Sequence, residues 1–195
     1  MLARMTDVEQ AEAFRRRRAA AQKWQPKRVH LLLVAPAPPD DPTQYFYYES
    51  ANSHDPLFDS VGYVLFEEEP SGPKEPYLKL LRRRGVFVIE LDPRAPVGEG
   101  TQSDPEQWLA MRIDPLQPEH IVTLGREVHA AAAKELERAG LPLVPVVVPF
   151  SPRGDRAEFA RELRHALVKA GLEKLIKPLA PATKPARPAR AKRDD

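Results

Sequence analysis

The sequence predicts an α/β protein with three layers, α/β/α, built on a central, mainly parallel four-stranded sheet. Three observations carry this. Short apolar runs recur at residues 28–35, 86–91, 121–124 and 143–150, and runs of this length without polar alternation suit strands buried on both faces. Helical stretches at 56–68, 76–84, 105–112, 125–140 and 155–171 lie between and after them, and strands alternating with helices of this length imply a parallel sheet. The chain has 195 residues, enough for one core with appendages, since a single core serves ~100–200 residues.

Each element has a local reason. Residues 6–24 hold no proline or glycine and are rich in Ala, Glu, Gln and Arg. Thr6 is the expected N-cap with Glu9 completing a capping box, and Pro26 ends the helix. The first strand follows at 28–35, with His30 expected as a satisfied core residue. Gly125 opens the fourth helical stretch as a packing glycine, and Asp155 caps the last one. Glu67 to Glu69 read as a solvated helix end. The stretch 180–195 has no large apolar residue, so it cannot bury enough surface to offset the entropy of ordering. The expected organisation is a basic N-terminal helix (1–27), an α/β domain (28–176) and a disordered basic Pro/Ala-rich tail (177–195).

Charge is uneven along the chain. Residues 1–30 carry eight Lys/Arg against three acidic residues, and residues 177–195 carry six against two. The formal net charge is +2, so the intervening body is negative. Basic ends suit a polyanion, and the expected partner is DNA or another nucleic acid, contacted mainly through the arginine run 15–18 and the tail with strong salt dependence. Solvated like-charge ends are the alternative.

Composition removes several chemistries. Cysteine is absent, which excludes disulfides, thiolate catalysis and cysteine-held metal centres. The five histidines form no i,i+4 pair, so no metal is expected. No Walker A motif, dinucleotide fingerprint or nucleophile elbow occurs, and no cofactor is expected. The longest apolar runs fall far short of the ~20 residues of a membrane helix, and no apolar h-region follows the arginine run. The expectation is a cytoplasmic protein without a membrane partner.

In parallel sheets, ligands bind beyond the carboxyl ends of the strands. After the first strand, residues 35–53 read A-P-A-P-P-D-D-P-T-Q-Y-F-Y-Y-E-S-A-N-S, and a loop this long is uncommon unless it binds something. Pro36, Pro38 and Pro39 stiffen it, Asp40 and Asp41 offer carboxylates, and Tyr45, Phe46, Tyr47 and Tyr48 supply rings for stacking on a flat base. Two readings stay open: a base-binding loop, or a turn made by the aspartates with the aromatics capping the core. After the last strand, Ser151 and Arg153 precede a helix N-terminus that suits a phosphate, or one that Asp155 simply caps.

Three passages together resemble the uracil-DNA glycosylase superfamily: L-L-L-V-A-P-A-P at 31–38, I-V-T-L-G-R-E-V-H-A-A at 121–131 and P-F-S-P at 149–152. Within it, Pro38, Pro39 and Tyr45 to Tyr47 are similar to an uncharacterised branch. The resemblance spans 28–170 and implies a protein that acts on or binds DNA bases, with N-glycosidic hydrolysis in base excision repair as the expected reaction if it is active. A base would stack on Tyr45, Phe46 or Tyr47, water would be held by Asp40 or Asp41, and Asn52, Asp92, Ser151 and Arg153 would complete the contacts to base and backbone. The chain departs from the pattern at three positions. Pro36 stands where the family orients its water, Pro149 stands where it has histidine, and the nearest matches to the base-reading asparagine are Glu90 and Asp92. An ionised carboxylate only accepts hydrogen bonds, so it would meet uracil's carbonyls badly. The competing expectation is a non-catalytic nucleic-acid-binding or scaffold protein that keeps the fold and has lost the site.

Overall fold

The computed structural model describes residues 6–50, 55–93, 105–150 and 154–178, with the backbone alone at 105–107. The first helix, α1 (Asp7–Trp24), opens on the expected capping box. Thr6 Oγ1 accepts from the Glu9 N–H at 3.3 Å, and the Glu9 carboxylate accepts from the Thr6 N–H at 2.7 Å. Ala13, Arg17 and Trp24 form its buried side.

The sheet follows from three short runs: β1 (Leu31–Ala35), β2 (Val86–Glu90) and β3 (Ile121–Thr123), all parallel in the order β2-β1-β3. Leu33 of β1 pairs with Val88 on one side and Val122 on the other. All five β1 residues are fully buried, as a central strand covered on both faces requires. Burying each of its leucines contributes ~1.5–3 kcal/mol. Helices surround the sheet: α2 (Pro56–Phe66), α3 (Glu75–Arg83), α4 (Pro105–Ile113), α5 (Arg126–Arg138) and α6 (Arg156–Lys169). Helix α2 packs on α6, and α4 on α5.

The sheet has three strands, where four were expected. Residues 143–150 run beside β3 and parallel to it but form only isolated bridges, Leu143 to Ile121 and Val148 to Leu124. Val144 N–H donates to the Ile121 carbonyl at 2.8 Å, but the next N–H on that side, that of Val146, turns back across Pro145 to the Val144 carbonyl at 2.8 Å, so the ladder is interrupted there. Burial also alternates here, with Val144, Val146 and Val148 buried and Pro145 and Val147 exposed. The segment is an edge covered on one face.

The exposed edge of β2 is closed by a side chain. The Tyr47 hydroxyl accepts from the Val88 N–H at 2.6 Å and donates to the Val88 carbonyl at 3.0 Å. One phenol thereby satisfies two buried backbone groups of a strand with no outer neighbour. Gly85, ahead of β2, has φ +69°, and a Cβ there would lie 2.4 Å from the His30 ring and 2.8 Å from the Arg28 carbonyl. His30 itself precedes β1 and is half-buried, not a core residue. Its Nδ1 lies 2.8 Å from Glu119 Oε2. Arg84 donates to the carbonyls of Leu65, Leu175 and Lys177 at 2.8–3.0 Å and so ties residues 175–177 to α2. Among the described residues, no helix is long and apolar enough to cross a membrane.

Candidate functional site

Beyond the carboxyl ends of β1 and β2 lies a cleft of about 530 Å³. The loop after β1 lines it with Pro36 to Asp41, Gln44, Tyr45 and Phe46, and Glu90 lines it from the end of β2. Asp55, Pro56 and Leu57 enter from the start of α2, and Phe150 from the last apolar segment. A second cleft of about 340 Å³ lies between α1, β2 and α4, and Tyr45 and Glu90 line both.

Glu90 brings a raised carboxyl to both clefts. It ends β2 with partial access to solvent, and its carboxyl is raised from 4.5 to about 7, chiefly by burial. A hydrogen bond from Tyr45 and the charges of Arg112 and Arg17 act in the opposite direction, favouring the ionised form. Burial and the Glu90 charge together hold the Tyr45 phenol above its ordinary range, so it stays protonated and donates. Arg112 grips the backbone here, donating to the carbonyls of Glu90 at 2.6 Å and Leu91 at 3.0 Å.

The aromatic run is core more than platform. Tyr45, Phe46, Tyr47 and Tyr48 are all buried, and their rings pack edge to face at centroid distances of 5.0–5.8 Å. Tyr45 and Phe46 still line the cleft, whereas Tyr47 is turned inward against Phe87 and Val88. Lys74 holds this run in place. Only 5% exposed, it donates from Nζ to the Tyr45 carbonyl at 3.0 Å and lies over the Phe58 ring. Its charge also lowers the Asp55 carboxyl, which burial raises. Asp55 caps α2 by accepting from Leu57 N–H at 2.9 Å and Phe58 N–H at 3.3 Å.

The carboxylates expected to hold water are placed differently. Asp41 is exposed and forms a turn, accepting from the Thr43 N–H at 2.8 Å, the Thr43 hydroxyl at 2.6 Å and the Gln44 amide at 3.2 Å. The Thr43 bonds lower its pKa, so it is a weak base at the cleft's rim. Asp40 is exposed on the same rim. Asp92 does not line the cleft: β2 ends at Glu90, the chain bends, and Asp92 faces solvent with its N–H on the Pro36 carbonyl at 2.9 Å. Asn52, Ser151 and Arg153 lie outside the described residues.

A third cleft, about 660 Å³, opens where the N-termini of α5 and α6 converge beside Pro36, Pro149 and Phe150. Asp155 already caps α6, accepting from Ala157 N–H at 2.7 Å and Glu158 N–H at 3.2 Å, and Arg126 pairs with Glu158 at 3.1 Å. Among the described residues, no group of three or more His, Asp or Glu side chains is arranged to hold a metal ion.

The proline departures and the loop prolines were legible as sequence. Lys74 was not, because its partners lie 29 and 19 residues away at Tyr45 and Asp55. No protein-family model matches the chain, and no curated protein does.

Proposed function

We propose that this chain is a uracil-DNA-glycosylase-like α/β/α protein that binds a nucleobase of DNA in the cleft beyond β1 and β2, and that it binds without cleaving. One observation carries the reading. Glu90 lines the cleft with a carboxyl raised to about 7 and engaged by Tyr45. In its neutral form a carboxyl presents an O–H donor beside a C=O acceptor, as an amide does. That pair complements the adjacent C=O and N–H of an oxidised or deaminated base such as uracil, hypoxanthine or xanthine. Pro36, Phe46, Leu57 and Phe150 supply apolar walls for a flat ring.

Binding is favoured over hydrolysis because two of the positions expected to handle water do not serve. Pro36 has no side chain that could orient water, and Asp41 is committed to its own turn with a lowered basicity. The test is equilibrium binding to fluorescein-labelled oligonucleotides carrying uracil, hypoxanthine or xanthine, against an unmodified control of the same sequence. The expected result is a preference of ~10-fold or more for at least one modified base, lost in Glu90→Ala and kept in Glu90→Gln, since a good bidentate pair discriminates by ~1–3 kcal/mol. Equal affinity for all four oligonucleotides would overturn the reading. Cleavage of any of them above background would replace binding with catalysis.

A further inference from the structure

A groove of about 970 Å³ lies at the opposite end of the strands from the base cleft, between the end of α1, the residues leading into β1, and α3. Its lining holds Lys23, Lys27, Arg28, Lys79, Arg82 and Arg83, all exposed, against one acidic residue, Glu75. This concentration of cations sits on a folded body whose overall charge is negative. Three of the six are engaged: Lys23 with Glu49, Arg28 with Glu119, and Lys79 with Glu75. Lys27, Arg82 and Arg83 have no ion pair among the described residues. Trp24 forms part of the wall, and its buried indole Nε1–H has no acceptor.

The geometry of α3 explains the patch. Tyr77, Leu78 and Leu81 face the core, so the helical period turns Lys79, Arg82 and Arg83 outward along one side. Gly85, forced by its positive φ and the closeness of His30, brings the end of α3 back beside residues 28–30. Cations from two distant segments thereby face one concavity. The arginine run expected to serve this purpose is partly consumed by the fold. Arg17 is 9% exposed with a 3.5 Å bond to the Pro93 carbonyl, and the Arg16 guanidinium lies 4.6 Å from the Tyr48 ring centroid.

We infer that this groove is a second nucleic-acid contact, one that holds the phosphodiester backbone of duplex DNA through Lys27, Arg82 and Arg83. A membrane is a poor fit, because the groove is concave and its aromatic residue is buried in the wall instead of protruding. Arginine suits phosphate through its paired donors. The choice of DNA rests on the base-binding reading; the groove's preference for phosphate does not.

The test measures binding of the full chain to an unmodified 20-base-pair duplex at two salt concentrations. K27E/R82E/R83E is compared with K134E/K169E/K174E, which makes the same change of charge at exposed lysines elsewhere. The expected outcome is a loss of ~10-fold or more in affinity for the groove variant and a salt slope shallower by ~2–3, since each phosphate contact contributes ~0.9. The control variant should change far less. Circular dichroism checks folding, and K27A/R82A/R83A provides the milder variant if charge reversal perturbs it. Equal losses in the two variants, or none in the groove variant, would overturn the proposal. So would displacement of the duplex by polyglutamate as readily as by unlabelled DNA, or tighter binding of an RNA duplex. Because the duplex carries no modified base, failure here leaves the Glu90 reading to its own test.

Discussion

The loop after β1 divides into two halves that obey different physics. Residues 41–44 close on themselves: the Asp41 carboxylate accepts from Thr43 and Gln44, two and three residues on. Residues 45–49 are tied to distant chain. Lys74 holds the Tyr45 carbonyl, Tyr45 meets Glu90, Tyr47 closes Val88, Arg16 covers Tyr48 and Lys23 pairs with Glu49. The outer half would make its bonds in any fold, and its carboxylate is accordingly an ordinary surface acid made somewhat stronger. The inner half has its properties only because β2, α1 and α3 surround it. The carboxyl raised to about 7 therefore lies at Glu90, beside the inner half, whereas the exposed Asp41 carboxyl is lowered.

The largest effect should come from removing the inner half's anchor. Lys74→Met leaves the buried Asp55 carboxyl without its cation and the Tyr45 carbonyl without its donor. We expect a loss of about 3 kcal/mol, the upper end of what a buried acceptor left without its donor costs, measured by urea unfolding. A loss below ~1 kcal/mol would mean that the aromatic run holds itself in place.

Glu90→Gln removes the raised carboxyl and keeps its shape. The folded pKa, about 7, exceeds the ordinary 4.5, so the folded state binds the proton more tightly than the unfolded chain. Stability from this group is therefore full below about pH 4.5, falls as pH rises through the window to about 7, and is lowest above it. The amide abolishes that dependence. Glu90→Gln should be more stable than the parent by ~1–3 kcal/mol at pH 8 and indistinguishable from it at pH 4.5, in thermal melts across that range. Base binding by the parent should weaken from pH 6 to pH 8 and stay level in the variant. A pH-independent difference in stability would mean that packing, not charge, distinguishes the two.

The smallest effect should be at the outer half. Asp41→Ala removes a turn's acceptor at an exposed position, where substitutions seldom matter. Affinity for modified oligonucleotides should stay within about twofold of the parent's. A large loss would return Asp41 to the site and erase the distinction between the halves.

Much of this architecture is legible in the sequence. The α/β class, the parallel run of strands, the box at Thr6 and Glu9, the cap at Asp155 and the long loop after β1 all depend on neighbours within a few residues or on hydrophobic period. Those are properties of the sequence itself. Even Pro145 was visible, although its consequence was not: its nitrogen lies on the side away from β3, and the ladder is lost because the chain turns back there, with the Val146 N–H on the Val144 carbonyl. What the tertiary structure alone settled was the fate of charged groups. Arg17 became buried and Lys74 became an anchor. Glu90 entered the cleft while Asp92, two residues on, turned to solvent where the strand ended. Lys27 and Arg82, 55 positions apart, came to line one groove. A charge's solvation and partners are set by whatever the fold brings beside it, and no local pattern encodes that.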